Sequence, residues 1–198
     1  KFKKVLIIFN IFTKNLYENF LNQKNKIVIG NNSELHSIEL TISKSKKKFF
    51  NNVYENLELK ESAVLKNIYI QNNRNDGYFH KSSNTKLFNN SSLSSYIFPS
   101  GPKFNKFDLE FDLSGKNCEC NLQAATFLNK NEHQEIKTRM NHFFPNCKSY
   151  QKVKKVLCKG SKGVYQGKIF VKNIAQKTDA YQLSKALILN DAAEFDAK

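Results

Sequence analysis

The sequence predicts an all-β protein, and three observations carry that prediction. Short apolar or alternating runs recur from one end of the chain to the other. The clearest, "FDLEFDL" over Phe107–Leu113, alternates with a period of two and places Phe107, Leu109, Phe111 and Leu113 on one face. Between the runs lie Asn, Ser, Lys and Gly clusters, such as Asn31-Asn32-Ser33 and Asn89–Ser92, which are turn chemistry.

The elements follow in order. The opening "KFKKVLIIFNIFTKN" has a basic start and an apolar stretch, as a signal peptide does. Asn10 interrupts the stretch and no small-x-small cleavage site follows, so Val5–Phe12 is expected to be a buried strand. No segment is long and apolar enough to span a bilayer. Asn15–Lys24 is the best helix candidate, with Leu16, Phe20 and Leu21 on one face. Strands are expected at Lys26–Ile29 and at Ser37–Ile42, whose Ile38, Leu40 and Ile42 share a face, then at Asn56–Leu59 and Asn67–Ile70. Asn72–Ser95 reads as a polar excursion holding the one tight hairpin turn, Asp76-Gly77. Further strands are expected at Ser94–Phe98, Phe107–Leu113, Asn121–Leu128, Val153–Cys158, Gly163–Val171 and Lys185–Leu189, and a single turn at Asp191–Phe195. Spacing between runs scatters from about eleven to twenty residues, so no clean repeat emerges. Pattern alone leaves a sandwich and a parallel β-helix open. No linker divides residues 1–198, which are expected to form a single domain. The chain opens on Lys1 without Met and stops at Lys198 without a cap, and is read as a fragment cut at both ends.

Formal charge is +15, which raises nucleic-acid binding. Of the 32 basic residues only Arg74 and Arg139 are Arg, and Arg is the residue of bidentate base and phosphate contacts. Lys, Asn, Ile, Phe and Tyr share AT-rich codons, so a solvated Lys-rich surface is the better reading: no nucleic acid, no membrane. Four cysteines, Cys118, Cys120, Cys147 and Cys158, make no disulfide scaffold at this length, and a reducing cytoplasm is expected.

Motifs for catalysis fail on spacing. Gly160-Ser161-Lys162-Gly163 with Gly167-Lys168 lacks the phosphate-loop interval, and Ile169 follows the Lys. His133-Gln134-Glu135 with Pro145-Asn146-Cys147 lacks the second cysteine of a zinc deaminase. Cys118 and Cys120, two apart on a strand, point the same way. They would make a soft-metal site only if Cys147, Cys158 or His142 came near.

One stretch is harder to dismiss. Ala175–Gln182, "AQKTDAYQ", sets polar residues between two strand-like runs. With Tyr165, Gly167, Lys168 and Ile169 before it, and Leu187, Ile188, Leu189, Ala193 and Glu194 after it, the segment Gly163–Lys198 resembles the core of the SufB/SufD family of iron–sulfur cluster assembly proteins. Weaker similarity lies upstream, through His142, Pro145, Cys147 and Ser149, through "IVIGNNSELHSIE", and through the run ending at Gln71. The order of these pieces looks more like SufD than SufB.

The resemblance implies a right-handed parallel β-helix, a truncated SufBD core. It implies a non-catalytic scaffold with a SufB-like partner and a SufC-type ABC ATPase. The complex would handle the iron–sulfur cluster, with ATP on the separate subunit and no cofactor on this chain. The family's functional Cys and His sit in a Cys-x-His-Gly turn that falls after Lys198, so no catalytic, cofactor or metal residue is carried over. The pattern also departs at "AATFL" and at Asn105–Leu109. Gln176, Lys177, Thr178, Asp179 and Gln182 are expected to be a structural corner, their side chains satisfying a turn between rungs, with Lys177 pairing Asp179 or a neighbouring rung. The rival reading is a β-helix that binds or acts on carbohydrate, against which the scarce acids count.

Overall fold

The computed structural model describes residues 4–13, 16, 18–44, 48–72 and 75–198. Fourteen strands succeed one another: β1 (Leu6–Phe12), β2 (Phe20–Ile29), β3 (Glu34–Ser43), β4 (Phe50–Leu59), β5 (Val64–Asn72), β6 (Asn75–Leu87) and β7 (Ser92–Phe98), then β8 (Pro102–Leu113), β9 (Glu119–Leu128), β10 (His133–His142), β11 (Lys148–Leu157), β12 (Lys162–Val171), β13 (Asp179–Ile188) and β14 (Glu194–Ala197). Odd strands stack into one seven-stranded sheet and even strands into a second. Every pairing is parallel. Each turn of the chain contributes one strand to each sheet, and the next turn lies on top of it. This is a parallel β-helix.

The repeat is now visible. Phe20, Phe50, Tyr78, Phe104, His133, Lys162 and Glu194 occupy one register position on successive turns. The period is about thirty residues and uneven, twice the interval that strand-to-strand spacing measures.

The corner leading into the odd strands explains one recurrent use of Asn. Asn32, Ser62, Asn90, Asn117, Asn146 and Lys177 all adopt positive φ, each two residues before its strand. Asn tolerates that left-handed conformation better than other residues with a side chain, apart from Asp. The backbone N–H of each of the first five donates to a corner carbonyl of the next turn, on Glu61, Asn89, Lys116, Pro145 and Gln176. The residue between this position and the strand is small every time: Ser33, Ala63, Ser91, Cys118, Cys147, Thr178. Gly115 supports the same corner by close approach, since a Cβ there would meet the backbone N of Asn89 at 2.2 Å.

Side chains facing inward fill the space between the sheets. Phe107, Leu109, Phe111 and Leu113 are buried as the alternation predicts. Ile29, Leu59, Leu87 and Leu113 form an aliphatic ladder through four turns, and His142 takes the next step of it.

Several expectations need correction. The helix over Asn15–Lys24 does not form: Phe20–Lys24 lie within β2, and Asn15 and Tyr17 fall outside the described residues. The Leu16–Phe20 spacing imitates a helix because the strand's inward positions include Gln23 and Asn25. In β3 Ile38, Leu40 and Ile42 share a face as expected, but it is the outward one, Ile42 being exposed; Leu35 packs on the core, Ser37 and Thr41 are buried and Glu39 approaches the buried Lys81. The first run is a strand but not a buried one: Ile7, Phe9 and Ile11 are exposed, because β1 is an edge strand of its sheet. Asn72–Ser95 is no excursion; β6 is the longest strand and pairs on both sides. Asp76-Gly77 marks a bulge opposite β8 rather than a hairpin. Glu194–Ala197 is a strand rather than a turn.

Candidate functional site

The Ala175–Gln182 corner stacks on the one before it. Gln176 accepts from the Asn146 N–H at 2.9 Å, and its own amide donates to the Asn173 carbonyl at 2.6 Å. Lys177 supplies the positive-φ residue, with φ of 58°; among the described residues it makes no ion pair, so the expected pairing with Asp179 is absent. The Thr178 hydroxyl donates to the Ala175 carbonyl at 2.8 Å. Asp179 receives the Tyr150 hydroxyl from the preceding turn, which pushes the Tyr150 phenol up. Gln182 faces inward and accepts from Gln151 at 3.4 Å. It fills the space over Gly167, where a Cβ would meet its amide at 2.3 Å. From Gln151 a polar chain crosses the interior through Tyr165 to Thr138, the last step 3.1 Å long. Along the same edge Ile174, Tyr181, Leu187, Ile188 and Leu189 are exposed.

Among the described residues, Lys81 and Lys155 lie inside the helix. Lys81 of β6 meets Glu55 at 2.9 Å and Glu39 at 3.8 Å, and its ammonium lies 4.8 Å from the Tyr69 ring centre. Burial alone would lower Lys81, but the two carboxylates outweigh it and hold the ammonium well above the ordinary lysine value. Burial pushes the Tyr69 phenol up, although Lys81 opposes this. Lys155 of β11 finds no carboxylate. Its Nζ reaches the Gln134 carbonyl at 3.2 Å, the Gln134 amide oxygen at 3.1 Å and the Val164 carbonyl at 3.0 Å. Burial lowers it to about 7, with distant Glu135 pulling slightly the other way.

The thiols divide into one pair and two single groups. Cys118 and Cys147 occupy the same corner position on successive turns, and both sulfurs reach the Gly115 carbonyl, at 3.1 and 3.2 Å. The neighbouring Cys118 thiol lowers Cys147 to about 5 against the opposing effect of burial, with His142 assisting. The neighbouring Cys147, and burial, push Cys118 up. His142 is itself buried, its Nε2 2.9 Å from the Ser149 hydroxyl. Cys120 points inward with Cys118, as its spacing requires, but into the apolar core, and burial pushes its thiol up. Among the described residues no group of three or more His, Cys, Asp or Glu comes together to hold a metal ion. Gly160–Lys168 is a turn running into β12, with Gly160 at a φ of 67°. His133 stacks on Phe104 and bonds Glu135, at the start of an even strand, whereas Cys147 precedes an odd one.

The family described as SUF system FeS cluster assembly, SufBD core domain, matches residues 11–198. The chain belongs to this family. A search of curated proteins finds no match. Among the described residues, no helix of this SufBD core is long and apolar enough to cross a membrane. Sequence reading found the Gln176–Gln182 corner but missed the thiol pair and both interior lysines. The signal for the pair was present. Asn32-Ser33, Ser62-Ala63, Asn90-Ser91, Asn117-Cys118, Asn146-Cys147 and Lys177-Thr178 are one corner dipeptide recurring at about thirty residues.

Proposed function

We propose that this SufBD core acts as a SufD-like, non-catalytic scaffold subunit in iron–sulfur cluster assembly, through protein–protein contacts. The carrying observation is the family match over residues 11–198. The partners would be a SufB-like β-helix protein and a SufC-type ABC ATPase, in the cytoplasm, with the cluster as cargo and ATP on the ATPase. The Gln176, Lys177, Thr178, Asp179 and Gln182 corner would be structural, and its hydrogen bonds to the preceding turn support that reading. Asp179→Ala is expected to lower the melting temperature and partner capture together. Loss of capture at unchanged melting would overturn the structural role. Depleting the chain in its native cell is expected to lower the activity of iron–sulfur enzymes while cluster-free enzymes hold theirs; undiminished iron–sulfur activity would overturn the function.

Carbohydrate binding has one observation in its favour. Phe20, Phe50, Tyr78, Phe104 and His133 form an outward ladder beside a shallow groove of about 410 Å³ lined by Tyr54, Asp108, Lys137 and Arg139. A sugar packs on a free ring face, but Phe20 lies on Phe50 at 4.5 Å and 4°, and Phe104 lies on His133 at 4.9 Å and 18°, so these faces are taken by neighbouring rings. The ladder stabilises the sheet's outer face without a ligand.

A further inference from the structure

We propose that Cys118 and Cys147 form a reversible dithiol site, which a hydroperoxide oxidises to a disulfide joining two successive turns of the β-helix. The placement carries the argument. Both sulfurs lie within 3.2 Å of one atom, the Gly115 carbonyl oxygen. Neighbouring strands of a sheet are about 4.8 Å apart, inside the Cα separation that a disulfide accepts. The Lys148 N–H bonds the Cys118 carbonyl at 2.8 Å, so the two corners are already held in register. The glycine is required for this, because any side chain at residue 115 would strike Phe88 and Asn89 and push the carbonyl away.

The two sulfurs are also chemically unequal, as an attacking and a resolving thiol should be. The proximity of Cys118, with His142 assisting, lowers Cys147, which therefore supplies the attacking thiolate. Both thiols are buried, in a corner where neighbouring Asn117, Phe144 and Asn146 are exposed. Cys120 is equally buried but, like Cys158, has no thiol partner among the described residues.

The steps balance. The Cys147 thiolate attacks one oxygen of the hydroperoxide and the O–O bond breaks, giving Cys147 sulfenic acid. The departing hydroxide takes the Cys118 proton and leaves as water. The Cys118 thiolate then attacks the Cys147 sulfur. The S–S bond forms, the S–O bond breaks, and the second hydroxide leaves as water with a proton from solvent. Two thiols and hydrogen peroxide become one disulfide and two waters; a small dithiol returns both electrons and restores the pair.

The test is to treat the full folded chain with hydrogen peroxide, quench in acid, alkylate, digest and map. The expected result is a linked peptide pair joining Cys118 to Cys147, lost on treatment with dithiothreitol, while Cys120 and Cys158 are recovered alkylated. Recovery of Cys118 and Cys147 as free thiols, or linkage mainly through Cys158, would overturn the proposal. In Cys118→Ala the resolving thiol is gone, so a dimedone-type reagent should trap sulfenic acid at Cys147. An unlabelled Cys147 in a variant that melts like the parent would also overturn it. The map on the unmodified chain decides the matter if that variant fails to fold.

Discussion

Lys81 and Lys155 are the same residue type, buried in the same interior and facing inward from strands of the same helix, yet the protein treats them in opposite ways. Lys81 has two carboxylates on the neighbouring turns and stays charged. Lys155 has three neutral oxygens, and burial drags it down to about 7. Burial is common to both, so the difference comes from what adjacent turns place opposite each lysine. The register stacks Val53 and Phe107 on Lys81, and Thr126 and Ala186 on Lys155, so the groups that decide whether charge survives lie diagonally along the next strand or across on the facing sheet.

The comparison breaks most sharply at Lys81. Lys81→Met would leave Glu39 and Glu55 buried without their cation and is expected to cost about 3–5 kcal/mol in denaturant melts. A loss below about 1 kcal/mol would mean the carboxylates find water instead. Leu113→Ala, in the aliphatic ladder, sets the scale for ordinary packing at about 2–5 kcal/mol.

Lys155→Met should be much milder at pH 7, because the native ammonium is already half discharged there. The sign of its pH dependence follows from linkage. The folded value of about 7 lies below the unfolded value near 10.4. Between these the unfolded chain binds the extra proton, so stability rises with pH from about 7 to about 10. The rise amounts to roughly 3–5 kcal/mol and should vanish in Lys155→Met. Parallel pH profiles for the two proteins would place Lys155 with Lys81 rather than opposite it.

The smallest effect belongs to the corner. Lys177→Gly relieves a positive φ and should leave stability level or raise it by up to about 1 kcal/mol, whereas Lys177→Val should lose about 1–3 kcal/mol. Equal melting of the two would mean the corner relaxes freely.

These residues also show what the sequence made legible. "FDLEFDL" was readable because its inward positions are all apolar. β10, "HQEIKTRMNH", went unrecognised because its inward residues include Gln134, Thr138 and His142, whose partners come from other parts of the chain. β3 was recognised, but Ile38, Leu40 and Ile42 face outward because Glu39 is needed inside, near Lys81. A polar interior erases the alternation on which strand reading depends, and the residues that permit it lie about thirty positions away. The family resemblance settled a fold that periodicity had left open. The Gln176–Gln182 corner was legible as a motif, but Lys177 acts there through its backbone rather than its charge. The thiol pair needed the register itself.

The account's central claim is best tested by native mass spectrometry of this chain co-expressed with a SufB-like protein and a SufC-type ATPase. It predicts a single complex containing all three, formed with the catalytic residues of the ATPase inactivated as well as intact. Recovery of the chain alone, beside a complex of the other two, would contradict it.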